Sequence, residues 1–184
     1  MTSAFLVLVC KPNTQPGVVL FLTFIPMNII SIRKGRKSDL PQVLQLIQEL
    51  AIYEKAEGEV IITVEELEKD GFGQHPLFYF FVAETEGKVV GLALYYIKYS
   101  TWKGKCVFLE DLIVTSAYRK HGLGKKLFNE VLKAAKEIHA ERMEWQVLDW
   151  NEPAINFYKT YDTHFAPEWV NCKLVGEQIQ NYQF

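Results

Sequence analysis

The chain has 184 residues, 49% of them hydrophobic and 23% charged, and its 20 basic and 22 acidic side chains leave a net charge of −2. That length suits one domain around one core, and the near-even charge excludes the basic excess that marks a nucleic-acid-binding surface. Three cysteines far apart in sequence, Cys10, Cys106 and Cys172, spell neither a disulfide framework nor a metal site and imply a reducing, cytoplasmic setting; four histidines without ligand spacing predict no metal.

Residues 1–26 contain two apolar runs, SAFLVLVC and GVVLFLTFI, separated by KPNTQPG. Neither reaches the roughly 18 to 20 residues needed to span a bilayer, and the basic start and small-residue cleavage site of a signal peptide are missing. The preferred reading is an extension outside the domain, with an atypical membrane or export leader as the rival; MNIISIRKG then begins a domain over residues 27–184, for which no membrane partner is expected.

A first strand is predicted over residues 28–33. SDLPQVLQLIQELAIYEKA then carries Leu40, Val43, Leu44, Ile47, Leu50 and Ala51 at the spacing of an amphipathic helix, with Ser38 as its expected N-cap. Thr63 and Glu66 form a capping box for a short helix that stops at Gly71. LFYFFVAETEGKVVGLALYYIKY reads as a hairpin and KCVFLEDLIVT as a further strand. A helix over 123–138 follows, then a strand in RMEWQVLD, a short helix from Pro153, and a last strand in HFAPEWVNCKLV. The order predicts a single α/β domain with a mixed, mostly antiparallel sheet, flanking helices and one parallel strand–helix–strand crossover over residues 105–149.

Two features stand out from this pattern. Glu110 and Asp111 interrupt an apolar strand, where carboxylates cost several kcal/mol unless paired or functional; pairing with nearby lysines is the purely structural alternative. Successive strand residues face opposite sides, so the two reach one pocket only across a local bulge or a second wall. The second feature is the elbow Arg119-Lys120-His121-Gly122-Leu123-Gly124, with Lys125 just inside the following helix. Its glycines admit a close ligand, and the helix start offers unpaired N–H groups to a phosphate; a plain tight turn is the bland alternative. It is no P-loop, since no hydroxyl residue follows Lys125, and the third glycine of a dinucleotide fingerprint is absent.

R-x-x-G-x-G between a long strand and a helix, with LEDLIV before it and VLDWNEPAINFYK after it, resembles the GNAT superfamily of acetyl-CoA-dependent N-acetyltransferases. IQELAIYEK, DGFGQHP, YSTWKGK, LEDLIV, YRKHGLG and WNEPAINFYK follow in the order found in the spermidine/spermine N-acetyltransferase family, and YSTWKGK and VLDWN look like its thialysine-acetylating branch. The resemblance spans residues 28–159. It implies acetyl-CoA as co-substrate, a small-molecule primary amine as acceptor, and a homodimer. A non-catalytic acetyl-CoA-binding module and a protein N-acetyltransferase are the alternatives.

The resemblance also implies roles. An alkylamine of pKa ~10.4 is protonated at pH 7, roughly 4.6 kcal/mol from its nucleophilic form, and Glu110 is implied as the base that removes the proton, through water, with Asp111 helping to bind the amine. Tyr158 is implied as the acid for the departing thiolate. Backbone groups of Leu112, Ile113 and Val114 are expected along the pantetheine arm, with Asn151, Glu152, Pro153 and Ala154 closing the cofactor site. Tyr53 and Glu54 coincide with substrate contacts of the family, as more loosely do Trp102, Glu144, Trp145, Gln146 and Glu168. Seven acidic residues over 54–70 against two lysines would draw in a cation, or else form a solvated helix face. Three departures stand out: Ser100 replaces the aspartate of polyamine-acetylating members, Asp162 replaces a glycine, and a shorter tail leaves Glu168 poorly anchored.

Overall fold

The computed structural model describes residues 30–183; the expected extension over residues 1–26 lies outside them. β1 is Ser31–Lys34, followed by α1, Leu40–Tyr53, and α2, Val64–Phe72. Ser38 does not cap α1. It sits inside a 3-10 turn, Lys37–Asp39, and Asp39 takes the cap position with its carboxylate engaged elsewhere. That carboxylate accepts from Arg33 Nη1 and Nη2 at 2.7 and 2.9 Å and from the Arg36 N–H at 2.8 Å, a forked charge-assisted contact stronger than one serine bond. The guanidinium holds the Asp39 carboxyl below its ordinary range.

The capping box forms: Glu66 N–H donates to Thr63 Oγ1 at 3.2 Å and Thr63 N–H to Glu66 Oε2 at 2.9 Å. α2 runs one residue past Gly71 and ends at Gly73. β2, Tyr79–Thr85, and β3, Lys88–Ser100, make the expected hairpin. Its two turn residues, Glu86 and Gly87, have φ of 50° and 75°, the left-handed pair whose twist matches the flanking strands.

β4, Gly104–Val114, is antiparallel to β3; α3, Leu123–Glu137, then leads to β5, Arg142–Glu144, which is parallel to β4. α4, Glu152–Lys159, and a short α5, Gly176–Gln180, complete the described chain. The sheet order is β1-β2-β3-β4-β5. α3 covers one face, packing Leu123, Leu127, Phe128 and Val131 against Phe81, Val107 and Leu109. α1 and α2 cover the other with Leu40, Val43, Leu46 and Leu67 against Val82, Leu92 and Ile113. Each fully buried aliphatic side chain here contributes about 1.5–3 kcal/mol.

Two expected strands are corrected. RMEWQVLD supplies only the three residues of β5, because the chain leaves β4 after Glu144 and a strand without a ladder partner cannot persist. HFAPEWVNCKLV forms no strand among the described residues; it runs exposed after α4, touching the chain beyond β5 through a side-chain bond from Gln146 Nε2 to Asn171 Oδ1 at 2.7 Å, with no backbone ladder.

Candidate active site

β4 and β5 pair only from Cys106 opposite Arg142 to Phe108 opposite Glu144, then separate. Beyond that point β4 continues from Leu109 to Val114 bonded to β3 alone. The split opens a cleft of about 630 Å³, a volume ordinary for a small-molecule site. Leu109, Glu110, Leu112, Ile113 and Val114 line it from β4, and Trp145, Gln146 and Val147 from the diverging chain.

One end of the cleft is the elbow. Arg119, Lys120, Gly122, Leu123, Gly124 and Lys125 all line it. Lys120 and Gly122 have φ of 67° and 74°, and Gly122 is the N-cap of α3 without a side-chain cap bond. A Cβ at Gly122 or Gly124 would meet nothing within 4 Å, so the backbone is open there to an approaching group. The N–H groups of the first turn lack carbonyl partners and carry the positive end of the helix dipole.

α4 walls the opposite side. The Asn151 side chain caps it, accepting from the Ala154 N–H at 3.3 Å and from the Tyr53 hydroxyl at 3.1 Å. Pro153 stands in the first turn, where its missing donor costs nothing. Asn151, Pro153, Ala154, Phe157 and Tyr158 face the cleft. Tyr158 is buried within an aromatic cluster, its ring 5.0 Å from Trp145 and 5.8 Å from Phe128. Burial, with a smaller push from the charge of Glu54, raises its phenol to about 12.

Three carboxylates gather beyond Tyr158. The β3–β4 register steps from Leu94 opposite Asp111 to Tyr95 opposite Leu109, which leaves Glu110 as an extra residue. Of the two arrangements open to the acid pair, the local bulge is therefore present. Val107, Leu109, Leu112 and Val114 all pack toward α3, so both residues between Leu109 and Leu112 are turned away from that side. Glu54, at the end of α1, lines the same cleft as Glu110. Burial raises the carboxyls of Glu54 and Glu110; Asp111 rises to about 7, through burial first and then the charges of Glu110 and Glu54. Among the described residues none of the three has an ion-pair partner, which sets aside pairing with lysines as the reason for the acid pair.

Six sequence candidates lie off the cleft wall. Asp111 sits behind Glu110, His121 and Glu152 point outward from the elbow and from the start of α4, and Glu144 is paired with Lys98 and Arg142. Trp102 is 80% exposed at the β3–β4 hairpin tip, and Glu168 lies in the exposed tail. Leu50, Leu109, Tyr118, Val147, Phe157 and Thr160 also line the cleft, and the sequence did not single them out. Phe157 adjoins the motif tyrosine and was within reach of sequence reasoning, whereas nothing local marks Tyr118.

A sheet split between parallel neighbours, with a glycine-rich helix start and partly buried acid groups along the same opening, can hold a phosphorylated ligand beside a group that takes up a proton. The profile of the Acetyltransferase (GNAT) family matches residues 40–161, and the chain belongs to that family of acyl-transfer enzymes. It is 38% identical over 160 residues to the thialysine N-epsilon-acetyltransferase of Mus musculus, covering 81% of this chain and 94% of that protein. It is 37% identical over 139 residues to spermidine/spermine N(1)-acetyltransferase-like protein 1 of Homo sapiens, covering 72% of this chain and 20% of that protein. In fold it is similar to an aminoglycoside acetyltransferase from an uncultured soil metagenomic sample, with a TM-score of 0.67 at 24% identity, over 79% of this chain and 95% of that one.

Proposed function

We propose that the protein transfers an acetyl group from acetyl-CoA to a primary amine of a small cationic substrate, a thialysine-like amino acid or short diamine. The observation that carries this reading is one cleft lined at once by Tyr158, by the unpaired carboxylates of Glu54 and Glu110 and by a bare helix N-terminus, with the carboxyl of Asp111 close behind Glu110.

The residues present fit acetyl-CoA. The elbow amides around Gly122 and Gly124, with Lys120 and Lys125, would hold its pyrophosphate. Backbone groups of Leu112 to Val114, free of β5, would hold the pantetheine arm as an added strand does. Bound there, acetyl-CoA supplies an acetyl thioester. Glu110 takes a proton from the bound ammonium, and its raised pKa brings it closer to that task at neutral pH. Asp111 and Glu54 supply negative charge that attracts the cation. Tyr158 Oη keeps its proton at any pH below about 12 and delivers it to the leaving sulfur.

A preference for short amines belongs to this reading. Ser100 Oγ accepts from the N–H groups of Trp102 and Lys103, both at 3.2 Å, so the position that carries an aspartate in polyamine-acetylating relatives serves the turn here. No carboxylate stands there for the far ammonium of a long polyamine. The mouse relative, named for thialysine, supports the same preference.

A homodimer belongs to this reading, supported by the exposed apolar tail with Trp169, Val170, Leu174 and Ile179; sedimentation of the purified chain tests it. So do a domain beginning at Met27, in which the first strand among the described residues is Ser31–Lys34, and a cytoplasmic setting, with which the free thiols of Cys106 and Cys172 among the described residues agree. Among the described residues no helix is long and apolar enough to cross a membrane. The deciding experiment is acetyl-CoA with thialysine, lysine, ornithine, putrescine, spermidine and a lysine peptide, with CoA release as the readout. Turnover of the peptide alone, or of no amine despite acetyl-CoA binding, would replace this function with another.

A further inference from the structure

Glu49 lies one turn before Tyr53 on α1 and outside the cleft lining. Its carboxylate gathers donors from the connection between β4 and α3. Thr115 Oγ1 donates to Oε2 at 3.1 Å, the Ser116 N–H donates to Oε1 at 3.3 Å, and Arg119 Nη2 lies 3.8 Å from Oε1. Arg119 is held on two further sides: Nε donates to the Val114 carbonyl at 2.7 Å, and the guanidinium lies 5.2 Å over the Tyr53 ring. The arginine that opens the elbow motif is thus folded back toward α1, its Nε–H bonded inside the protein and Nη2 facing the Glu49 carboxylate.

The elbow needs such an anchor. Between Val114 and Leu123 the chain makes one 3-10 turn, Ser116–Tyr118, and then places Lys120 and Gly122 in the left-handed region. A lysine there is disfavoured by its own backbone sterics, so local preference alone does not hold the loop in this shape. We propose that Glu49 is a positioning residue for the cofactor site: by fixing Thr115, Ser116 and Arg119 to α1 it sets the amides at the start of α3 for a pyrophosphate before one arrives. The gain is preorganisation, because the loop is ordered in advance and not at the expense of binding energy. The proposal rests on the acetyl-CoA reading above.

Calorimetric titration of acetyl-CoA into wild type, Glu49→Ala and Glu49→Gln tests it, with kcat and the amine KM measured at saturating acetyl-CoA. Glu49→Ala is expected to weaken acetyl-CoA binding about tenfold, the size of one lost charge-assisted contact set, while kcat and the amine KM hold within about twofold. Glu49→Gln keeps an acceptor for Ser116 but not the charge facing Arg119, and is expected to fall between the two; it carries the test alone if Glu49→Ala does not fold. Unchanged or tighter acetyl-CoA binding in the variants, the result if Glu49 only neutralises Arg119, overturns the proposal. So does a lower kcat at unchanged acetyl-CoA affinity. A wild-type protein that does not bind acetyl-CoA overturns the parent reading as well, and that arm is read first.

Discussion

Asp111 stands opposite Leu94 on β3, while its neighbour Glu110 has no partner on that strand at all. The skipped residue breaks the alternation of β4, so two carboxylates that a regular strand would send to opposite faces are both turned from the α3 side. Their closeness appears in the raised carboxyl of Asp111, whose value of about 7 has the charge of Glu110 as its second cause after burial. An unfolded aspartate titrates near ~3.9, so between about pH 4 and 7 the folded chain keeps a proton that the unfolded chain has lost. Stability from this group therefore falls as pH rises through that window, and the cost is complete above about pH 7. Asp111→Asn is expected to gain about 1–3 kcal/mol over wild type at pH 8 and close to nothing at pH 4, while its amine KM rises. Denaturant melts at both pH values check this; equal gains at both would remove Asp111 as the source.

Glu110 is expected to matter only where a proton must be taken from the amine. Glu110→Gln should lower kcat/KM for the amine about 10²–10³-fold at pH 7 and leave acetyl-CoA affinity in place. The deficit should narrow as pH approaches the amine's own pKa of ~10, where the nucleophile forms without help. A pH–rate profile of wild type and variant from neutral to alkaline pH provides the check. A deficit independent of pH would make Glu110 a binding group and not a base.

What was legible in the sequence was local. The Thr63–Glu66 box, the Glu86-Gly87 turn and the apolar stripe of α3 each depend on residues within a turn or two of one another, and each forms. Alternation along β4 left the acid pair a local bulge or a second wall, and the sheet takes the bulge, at Glu110. The length of β5 was not legible: its residues have strand character to Val147, but the point at which it leaves β4 is a property of the packed sheet. Asp39 displaced Ser38 from the α1 cap because Arg33 and Glu84, on two different strands, complete its network. Nor does the sequence reveal that the Tyr53 hydroxyl reaches Asn151, 98 positions away, and braces the cap of α4. Such links leave no periodic signal.

Tyr158 is the group whose environment most limits what it does. A phenol raised to about 12 by burial is a poor base at neutral pH and stays available as a proton donor across the working range. Tyr158→Phe keeps the ring against Trp145 and Phe128, so the melting temperature should stay near that of wild type. Its kcat is expected to fall about 10²–10⁴-fold, with acetyl-CoA affinity within about threefold. Calorimetry alongside steady-state rates separates the two; a variant with normal kcat would assign the leaving-group proton to solvent.

Asp162 has φ of 53° just beyond α4. Its N–H donates to the Lys159 carbonyl at 3.2 Å, and the next residue returns Thr163 Oγ1 to the Tyr158 carbonyl at 2.8 Å, so the left-handed residue closes the helix that carries the proposed acid. Left-handed backbone costs an ordinary residue roughly 1–2 kcal/mol, and aspartate less; glycine removes that cost but adds freedom to the unfolded chain. The balance favours Asp162→Gly by about 0.5 kcal/mol, and Asp162→Val, whose branched side chain tolerates the region least, should lose more than about 1 kcal/mol. Because Asp162 does not line the cleft, kcat of the glycine variant should match wild type. Thermal melts of the pair give the comparison, and a valine variant as stable as wild type would mean that the chain after α4 takes another path in solution.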